Sequence, residues 1–276
     1  MALSLAVSSA SSGETYLYFY KCTSNKAVAD DAQTVNDLAI EAKLYRNTRT
    51  GVDAIFTVSE EVRTAFLAAY PEHRERVSVF HNIIDWDRVR NKALEQGGFT
   101  DGYAGTRILT VGRLTEQKAL HLSVQAMKLL KDAGIRARWY VLGEGEERPN
   151  LTKLIRKLGL EEDFILLGSS ANPYPYFKQT DIYVHASRHE GKSIAVQEAL
   201  FLGCPVLLSD CSGNREQITD GVDGMMCELT AESIARGVRT LIEDENLRKR
   251  YSEAAAARNV ALEDNVESLL KFCNRE

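Results

Sequence analysis

From about residue 105 onward the chain alternates short β-branched runs with longer amphipathic ones, an order that few folds accept. Arg107-Ile-Leu-Thr-Val111 is followed by an amphipathic stretch from Gln117 to Gly134 and then by Ala137-Arg-Trp-Tyr-Val-Leu142. The series continues through Leu151 to Gly159, Phe164-Ile-Leu-Leu167, Asp181-Ile-Tyr-Val-His-Ala186, Ser193 to Gly203 and Pro205-Val-Leu-Leu208. Strands separated by helices pair in parallel, because each crossover helix must return the chain to the same edge direction. The order therefore predicts an α/β fold, a parallel sheet with helices on both faces. Leu120, Val124, Met127 and Leu130 share one face of the first helix, and Gly134 stops it. Ligands of such sheets bind outside the carboxyl ends of the strands, so the loops after Val111, Leu142 and Ser187 are where chemistry is expected.

The region before residue 105 is less regular. Tyr16-Leu-Tyr-Phe-Tyr20 reads as a strand, Val35 to Tyr45 as a helical stretch, and Ala54-Ile-Phe-Thr-Val58 as a strand. Ser59 then supplies an N-cap for a helix with Val62, Phe66 and Leu67 inward, and Arg76-Val-Ser-Val-Phe80 reads as another strand. Gly97-Gly98, Gly102 and Gly105 make a loose connection into the second half. Beyond Thr230 the pattern is helical, with Leu241, Leu247 and Tyr251 followed by Val266, Leu269, Leu270 and Phe272.

Charge and cysteine usage narrow the function classes. The 276 residues carry 34 Lys and Arg against 39 Asp and Glu, a net charge of -5, and no segment gathers the basic residues into an arm. Nucleic acid is therefore not expected as a partner. No apolar run approaches the ~18 residues of a membrane span, and Met1 to Gly13 lacks the basic start of a signal peptide, so a cytoplasmic protein is expected. Cys22, Cys204, Cys211, Cys227 and Cys273 form no C-x-x-C pair and read as reduced packing residues. The sequon Asn150-Leu-Thr152 reads as coincidence in a chain without a secretory signal.

The strongest chemical feature is Glu190-Gly-Lys-Ser-Ile-Ala-Val-Gln-Glu198, two carboxylates flanking the junction of a strand-end loop and a helix. Glu190 follows the strand that ends near Ser187. Gly191, Lys192, Ser193 and Ile194 open a helix whose first N–H groups favour an anion, and Glu198 lies about one and a half turns along it. One loop can thus hold a sugar, a diphosphate and a ribose in a row, although two glutamates at this spacing in a charged protein also occur as solvated surface. Helix, turn and strand follow at once in Ala199-Leu-Phe-Leu-Gly-Cys-Pro-Val-Leu-Leu-Ser209. In this setting the segment resembles the retaining glycosyltransferases of family 4, which have the GT-B fold and a Glu-x7-Glu motif before such a stretch.

Val111-Gly-Arg-Leu-Thr-Glu-Gln-Lys118 resembles the same family's donor-domain opening, with Ala119 where glycine is usual. Arg113 and Lys118 stand where fixed positive charge can neutralise a leaving diphosphate; alone they would read as solvated charge. Val58-Ser-Glu60 and Phe80-His-Asn-Ile-Ile-Asp85 resemble the end of the family's acceptor domain, with Ile83 replacing glycine. Leu142-Gly-Glu-Gly145 resembles its loop near the nucleotide, Phe164 to Gly168 the strand ending at the base, and Gly213-Asn-Arg-Glu216 with Asp220-Gly-Val-Asp-Gly224 a further motif. The resemblance spans about residues 53 to 276.

Competing patterns are weaker. Gly143-Glu-Gly145 begins a dinucleotide fingerprint, but Arg148 occupies the third glycine position, which argues against NAD. Asp85-Trp-Asp87 matches a metal-binding D-x-D and reads equally as a helix cap with surface charge. His189, beside Glu190, is within reach of a substrate, whereas His185 inside its strand reads as a core histidine. Neither a G-x-S-x-G nor a P-loop occurs.

The resemblance implies transfer of a hexosyl group from a nucleotide diphosphate sugar, with UDP the expected nucleotide, to an acceptor hydroxyl with retention. It implies no metal. Arg113 and Lys118, with N–H groups near Lys192 to Ile194, would stabilise the departing diphosphate; Glu190 would hold donor-sugar hydroxyls and Glu198 the ribose. Gly112, Gly143, Gly191 and Ser193 complete the implied donor contacts. The phosphate itself would take the acceptor proton, so Glu190 is not assigned as nucleophile. The expected division is residues 1–82, a partial acceptor-side Rossmann-like domain, and 83–276, the donor-binding domain with C-terminal helices. The glycine-rich loop and histidine of a full acceptor domain are not recognisable, and Asn25 to Asp31 lacks the Trp and His that related enzymes show there. The expected acceptor is a glycan or lipid-linked glycan, with membrane-surface association or a partner subunit compatible with the short first domain. The competing expectation is a non-catalytic or split nucleotide-sugar-binding module completed by a partner, or, outside this family, an α/β oxidoreductase domain.

Overall fold

The six-stranded sheet of the second half shows why the alternation was readable. In the computed structural model, which describes residues 3–9, 15–21, 54–82 and 84–258, its strands are β5 (Thr106–Val111), β6 (Ala137–Leu142), β7 (Phe164–Gly168), β8 (Ile182–His185), β9 (Val206–Ser209) and β10 (Met225–Cys227). Their order is β10-β9-β8-β5-β6-β7, and every pair is parallel. The chain runs outward from β5 to β7, then returns to lay β8 on the other edge of β5, with Ile108 opposite Ile182.

Alternate residues on each strand serve opposite faces. Ile108, Trp139, Ile182 and Leu207 belong to one core, with Leu120, Val124, Met127 and Leu130 of α3 (Leu120–Asp132), Leu151 and Ile155 of α4 (Arg148–Lys157), and Ile234, Val238 and Leu241 of α7 (Ala231–Glu243). Their neighbours Leu109, Tyr140, Tyr183 and Leu208 belong to the other, with Phe177 of α5 (Tyr174–Lys178), Val196, Ala199 and Leu200 of α6 (Ile194–Phe201), and Ala255 of α8 (Glu245–Ala257). Burying each large side chain contributes about 1.5–3 kcal/mol. One buried polar chain is satisfied within the sheet: the Trp139 indole N–H donates to Thr110 Oγ1 at 3.0 Å, and the Thr110 hydroxyl donates to the Val184 carbonyl at 2.7 Å.

The first half holds a four-stranded sheet of order β2-β1-β3-β4, built from β1 (Leu3–Ser9), β2 (Thr15–Lys21), β3 (Ala54–Thr57) and β4 (Val77–Val79). β1 pairs antiparallel with β2 and β3, whereas β3 and β4 are parallel. The strand expected at Tyr16–Tyr20 is present as β2, and β1 is an addition to the sequence reading. Ser59 caps α1 (Glu60–Ala69) by accepting from the Val62 N–H at 3.2 Å, and Val62, Phe66 and Leu67 are half-buried. The helical stretch expected at Val35 to Tyr45, Asn25 to Asp31, Ile83, Cys22, Cys273 and the apolar positions Val266 to Phe272 lie outside the described residues.

Two compact units emerge among the described residues. One contains β1 to β4 and α1, up to residue 82, together with residues 189–193; the other contains residues 84–188 and 194–258. No described helix is long and apolar enough to cross a membrane.

Candidate active site

Two loops at the carboxyl ends of β5 and β6 are stitched to each other. The Gly112 N–H donates to the Leu142 carbonyl and the Leu114 N–H to the Glu144 carbonyl, both at 2.9 Å, and the Glu147 N–H returns to the Leu114 carbonyl at 2.9 Å. The approach is close enough that a Cβ at Gly143, whose φ is +148°, would sit 1.8 Å from the Gly112 carbonyl oxygen. Only glycine fits there. The Gly143-x-Gly145 pair is thus accounted for by loop contact, without a dinucleotide fingerprint.

This stitching presents Arg113 and Lys118. Arg113 is exposed at the end of β5, over the fully buried Leu114. Lys118 closes a 3₁₀ turn, Glu116–Lys118, and Ala119 then takes a left-handed conformation with φ +44° and ψ 32°. A Cβ-bearing residue there costs about 1–2 kcal/mol. The break corrects the reading that began the helix at Gln117: α3 starts only at Leu120, and Lys118 is offered by its own turn. The lysine stem lies along Gly112, where a Cβ would meet Lys118 Cε at 3.5 Å. Lys118 Nζ is 3.2 Å from His185 Nε2.

His185, the last residue of β8, is 1% exposed, as a core histidine would be, yet its ring bears on the lysine of the site. Past it, the Ser187 N–H donates to Ser209 Oγ and the Ser209 hydroxyl donates to the Ser187 carbonyl, both at 2.8 Å. Asn214 Nδ2 donates to the Ser209 carbonyl at 3.0 Å, so the Gly213-Asn214 segment is tied to the ends of β8 and β9. The Arg188 N–H reaches the Gln117 carbonyl at 2.9 Å.

In the first unit, residues 189–193 form a largely buried loop: Glu190 is 4% exposed, Gly191 and Ser193 are buried, and His189 and Lys192 are half-buried. Asn82 braces it by donating from Nδ2 to the Lys192 carbonyl at 3.0 Å. Lys192 Nζ lies 3.1 Å from His81 Nδ1, which is also 3.1 Å from the Val58 carbonyl. Phe80-His-Asn82 therefore acts on the glutamate loop, a role the sequence motif alone did not announce.

Along α6, Ile194 is exposed while Val196, Ala199 and Leu200 face inward. Glu198 is half-buried and accepts a 2.9 Å hydrogen bond from the Tyr174 hydroxyl. Burial raises the Glu198 carboxyl above its ordinary range, and the Tyr174 bond partly opposes this. Burial, with the Glu198 charge and hydrogen bond, pushes the Tyr174 hydroxyl up to about 12. Asn172 positions Tyr174, accepting from its N–H at 3.3 Å while its Nδ2 donates to the Lys92 carbonyl at 2.9 Å and the Glu95 carboxylate at 2.8 Å. Sequence reasoning missed Tyr174; its signal was a tyrosine fixed between two prolines, Asn172-Pro-Tyr-Pro175.

Asp85 caps α2 (Trp86–Ala93) by accepting from the Arg88 N–H at 2.8 Å, and Asp87 pairs with Arg90 at 2.6 Å. Among the described residues no group of three or more His, Cys, Asp or Glu side chains is placed to hold a metal. Cys204, Cys211 and Cys227 are unoxidised and buried; burial pushes the Cys204 and Cys227 thiols up to about 12.

Comparison with known proteins gives the chain a family. Residues 104–258 match the family described as "Glycosyl transferases group 1". The N-acetylgalactosamine-N,N'-diacetylbacillosaminyl-diphospho-undecaprenol 4-alpha-N-acetylgalactosaminyltransferase of Campylobacter jejuni is 35% identical over 191 residues, 68% of this chain and 50% of that protein. The poly(glycerol-phosphate) alpha-glucosyltransferase of Bacillus subtilis is 27% identical over 206 residues, 74% of this chain and 30% of its own. Among solved structures, Anabaena Alr3699/HepE in complex with UDP and glucose superposes with a TM-score of 0.75 at 20% identity, covering 92% of this chain and 70% of that one. WaaG, a glycosyltransferase involved in lipopolysaccharide biosynthesis, gives 0.69 at 17% identity, covering 89% and 69%. The chain spans about half the length of the curated relatives it matches. The likeness to these structures supports the GT-B type of fold, a parallel sheet with helices on both faces.

Proposed function

Because the chain belongs to the group 1 glycosyl transferases, we propose that it binds a UDP-sugar and passes the hexosyl group, with retained configuration, to the hydroxyl of a glycan or lipid-linked glycan. The observation that carries this reading is the pair of stitched loops after β5 and β6, which sets Arg113 and Lys118 at the glycine backbone of Gly112 and Gly143. Such a site takes a diphosphate and stabilises the charge that develops on it as the glycosidic bond breaks. No metal enters the proposal. Glu198, held by Tyr174, accepts from ribose hydroxyls, and Glu190 accepts from donor-sugar hydroxyls and steadies the positive charge developing at the anomeric carbon. Gly191, Lys192, Ser193 and Ile194 offer N–H groups at the start of α6. A cytoplasmic setting and a lipid-linked acceptor are part of the same reading, the latter supported by the undecaprenol-linked acceptor in the name of the Campylobacter relative.

The competing reading is a donor-binding module that turns over only with a separate acceptor-domain protein. Titration calorimetry with UDP and UDP-glucose, followed by turnover assays, separates the two. Arg113→Ala is expected to weaken UDP binding about tenfold to a hundredfold, since a hydrogen bond between charged groups contributes about 1.5–3 kcal/mol. Glu190→Ala is expected to abolish sugar transfer while retaining UDP binding. UDP affinity unchanged in Arg113→Ala would refute the site assignment, and donor binding without turnover would select the second reading.

A further inference from the structure

Lys118, His185 and Tyr183 form a chain whose hydrogen-bond direction is fixed by chemistry. An ammonium has three donors and no acceptor, so at 3.2 Å from Lys118 Nζ the His185 Nε2 must carry a lone pair. The imidazole is then neutral with its proton on Nδ1, and that N–H donates to Tyr183 Oη at 3.2 Å. The Tyr183 hydroxyl is left to donate to the Val111 carbonyl, 3.4 Å away at the end of β5. Both rings are buried, His185 at 1% and Tyr183 at 0% exposure, so the chain cannot be exchanged for water without cost. It begins and ends beside Gly112: the lysine stem lies along that glycine, and Val111 precedes it.

We propose that His185 is the positioning residue for Lys118, a neutral Nδ1–H imidazole that accepts from the ammonium and, through Tyr183, ties it to the backbone of the strand that carries the diphosphate loop. This rests on the reading of Lys118 as a diphosphate ligand. A four-carbon lysine stem samples many rotamers, and fixing its head before the donor arrives removes part of the ordering cost of binding. His185 touches neither donor nor acceptor in this assignment; it acts through the lysine.

The test uses the whole 276-residue chain with UDP as the probe in titration calorimetry. His185→Leu is expected to weaken UDP binding about fivefold to tenfold, and His185→Gln, whose amide oxygen can accept from Lys118, to recover to within about twofold of the parent. In a Lys118→Met background the same His185→Leu change is expected to alter affinity by less than about twofold. An equal loss in both backgrounds would show that His185 merely supports the fold, and parental affinity in His185→Leu alongside a weakened Lys118→Met would overturn the positioning role alone. A Lys118→Met protein that binds UDP like the parent would overturn the diphosphate assignment itself, and this inference with it. Nitrogen-15 NMR of the unmutated protein gives a readout independent of folding in any variant: protonated Nδ1 and unprotonated Nε2 are expected for His185, and a protonated Nε2 would refute the chain.

Discussion

The two ends of the large sheet use their charged and polar groups in opposite ways. At the amino end, Asp101 receives hydrogen bonds from Arg107 and Arg138, both at 3.0 Å, and from the Tyr140 hydroxyl and the Tyr103 N–H. The two guanidiniums also lie over aromatic rings, Arg107 on Phe99 at 5.0 Å and Arg138 on Tyr103 at 4.5 Å. Burial by itself would raise the Asp101 carboxyl, but these hydrogen bonds together hold it well below the usual carboxylate range. At the carboxyl end, burial leaves Glu198 raised, Lys118 leans on a neutral histidine, and Arg113 is exposed. One end gathers its charges into a network that stabilises the fold; the other holds the groups that the proposed function assigns to the donor.

Substitutions at each end can break or sharpen this contrast. The largest effect belongs to Gly143→Ala, where a methyl group would overlap the Gly112 carbonyl. Stability is expected to fall by about 3 kcal/mol or more, and UDP binding with it, because the loops after β5 and β6 must part. Thermal unfolding and calorimetry check both, and a variant that keeps the parental Tm would disprove the close approach. Asp101→Ala comes next, with a loss of about 2–3 kcal/mol from stranding two arginines, and with UDP affinity unchanged. Since the folded carboxyl titrates below its unfolded value, the stabilisation it supplies is present above about pH 4 and fades as pH falls further, so parent and variant should converge in acid unfolding. Weakened UDP binding in this variant would erase the distinction between the ends. The smallest effect is expected for Glu198→Gln. A carboxyl raised by burial opposes folding when ionised, so the neutral amide should increase Tm at pH 7, with the gain shrinking as pH falls toward the raised value, while UDP binding weakens a few-fold. A lower Tm at pH 7 would show that Glu198 serves the fold.

What the sequence disclosed follows the range of the interactions involved. β5 to β9 were legible because each apolar run sits beside its own crossover helix, and the inward faces of α3 follow from spacing alone. β10 was not legible: Met225-Met226-Cys227 has no β-branched residue, and it is a strand only because β9 offers an edge. Likewise β1 reads as a polar-sprinkled amino terminus and becomes a strand through its pairing with β2 and β3. At the candidate site, the Glu190 and Glu198 spacing and the Gly112-Arg113 loop are local features that the sequence displays directly. His185 was read as core because its partner Lys118 lies 67 residues earlier, and Tyr174 was passed over because Glu198 lies 24 residues later. The left-handed Ala119 was equally hidden, since an alanine gives no hint that a helix restarts beside it.

The return of the chain to β8 sets an order of events during synthesis. β5, β6 and β7 can pair as soon as residues through Gly168 have emerged, but the far edge of β5, including Ile108 and Leu109, stays uncovered until Ile182–His185 follows. Until then the nascent chain exposes an apolar strand edge, a template for pairing with other chains. The strand that closes this edge is also the one that delivers His185 to Lys118, so protection against aggregation and completion of the lysine's setting arrive in the same step.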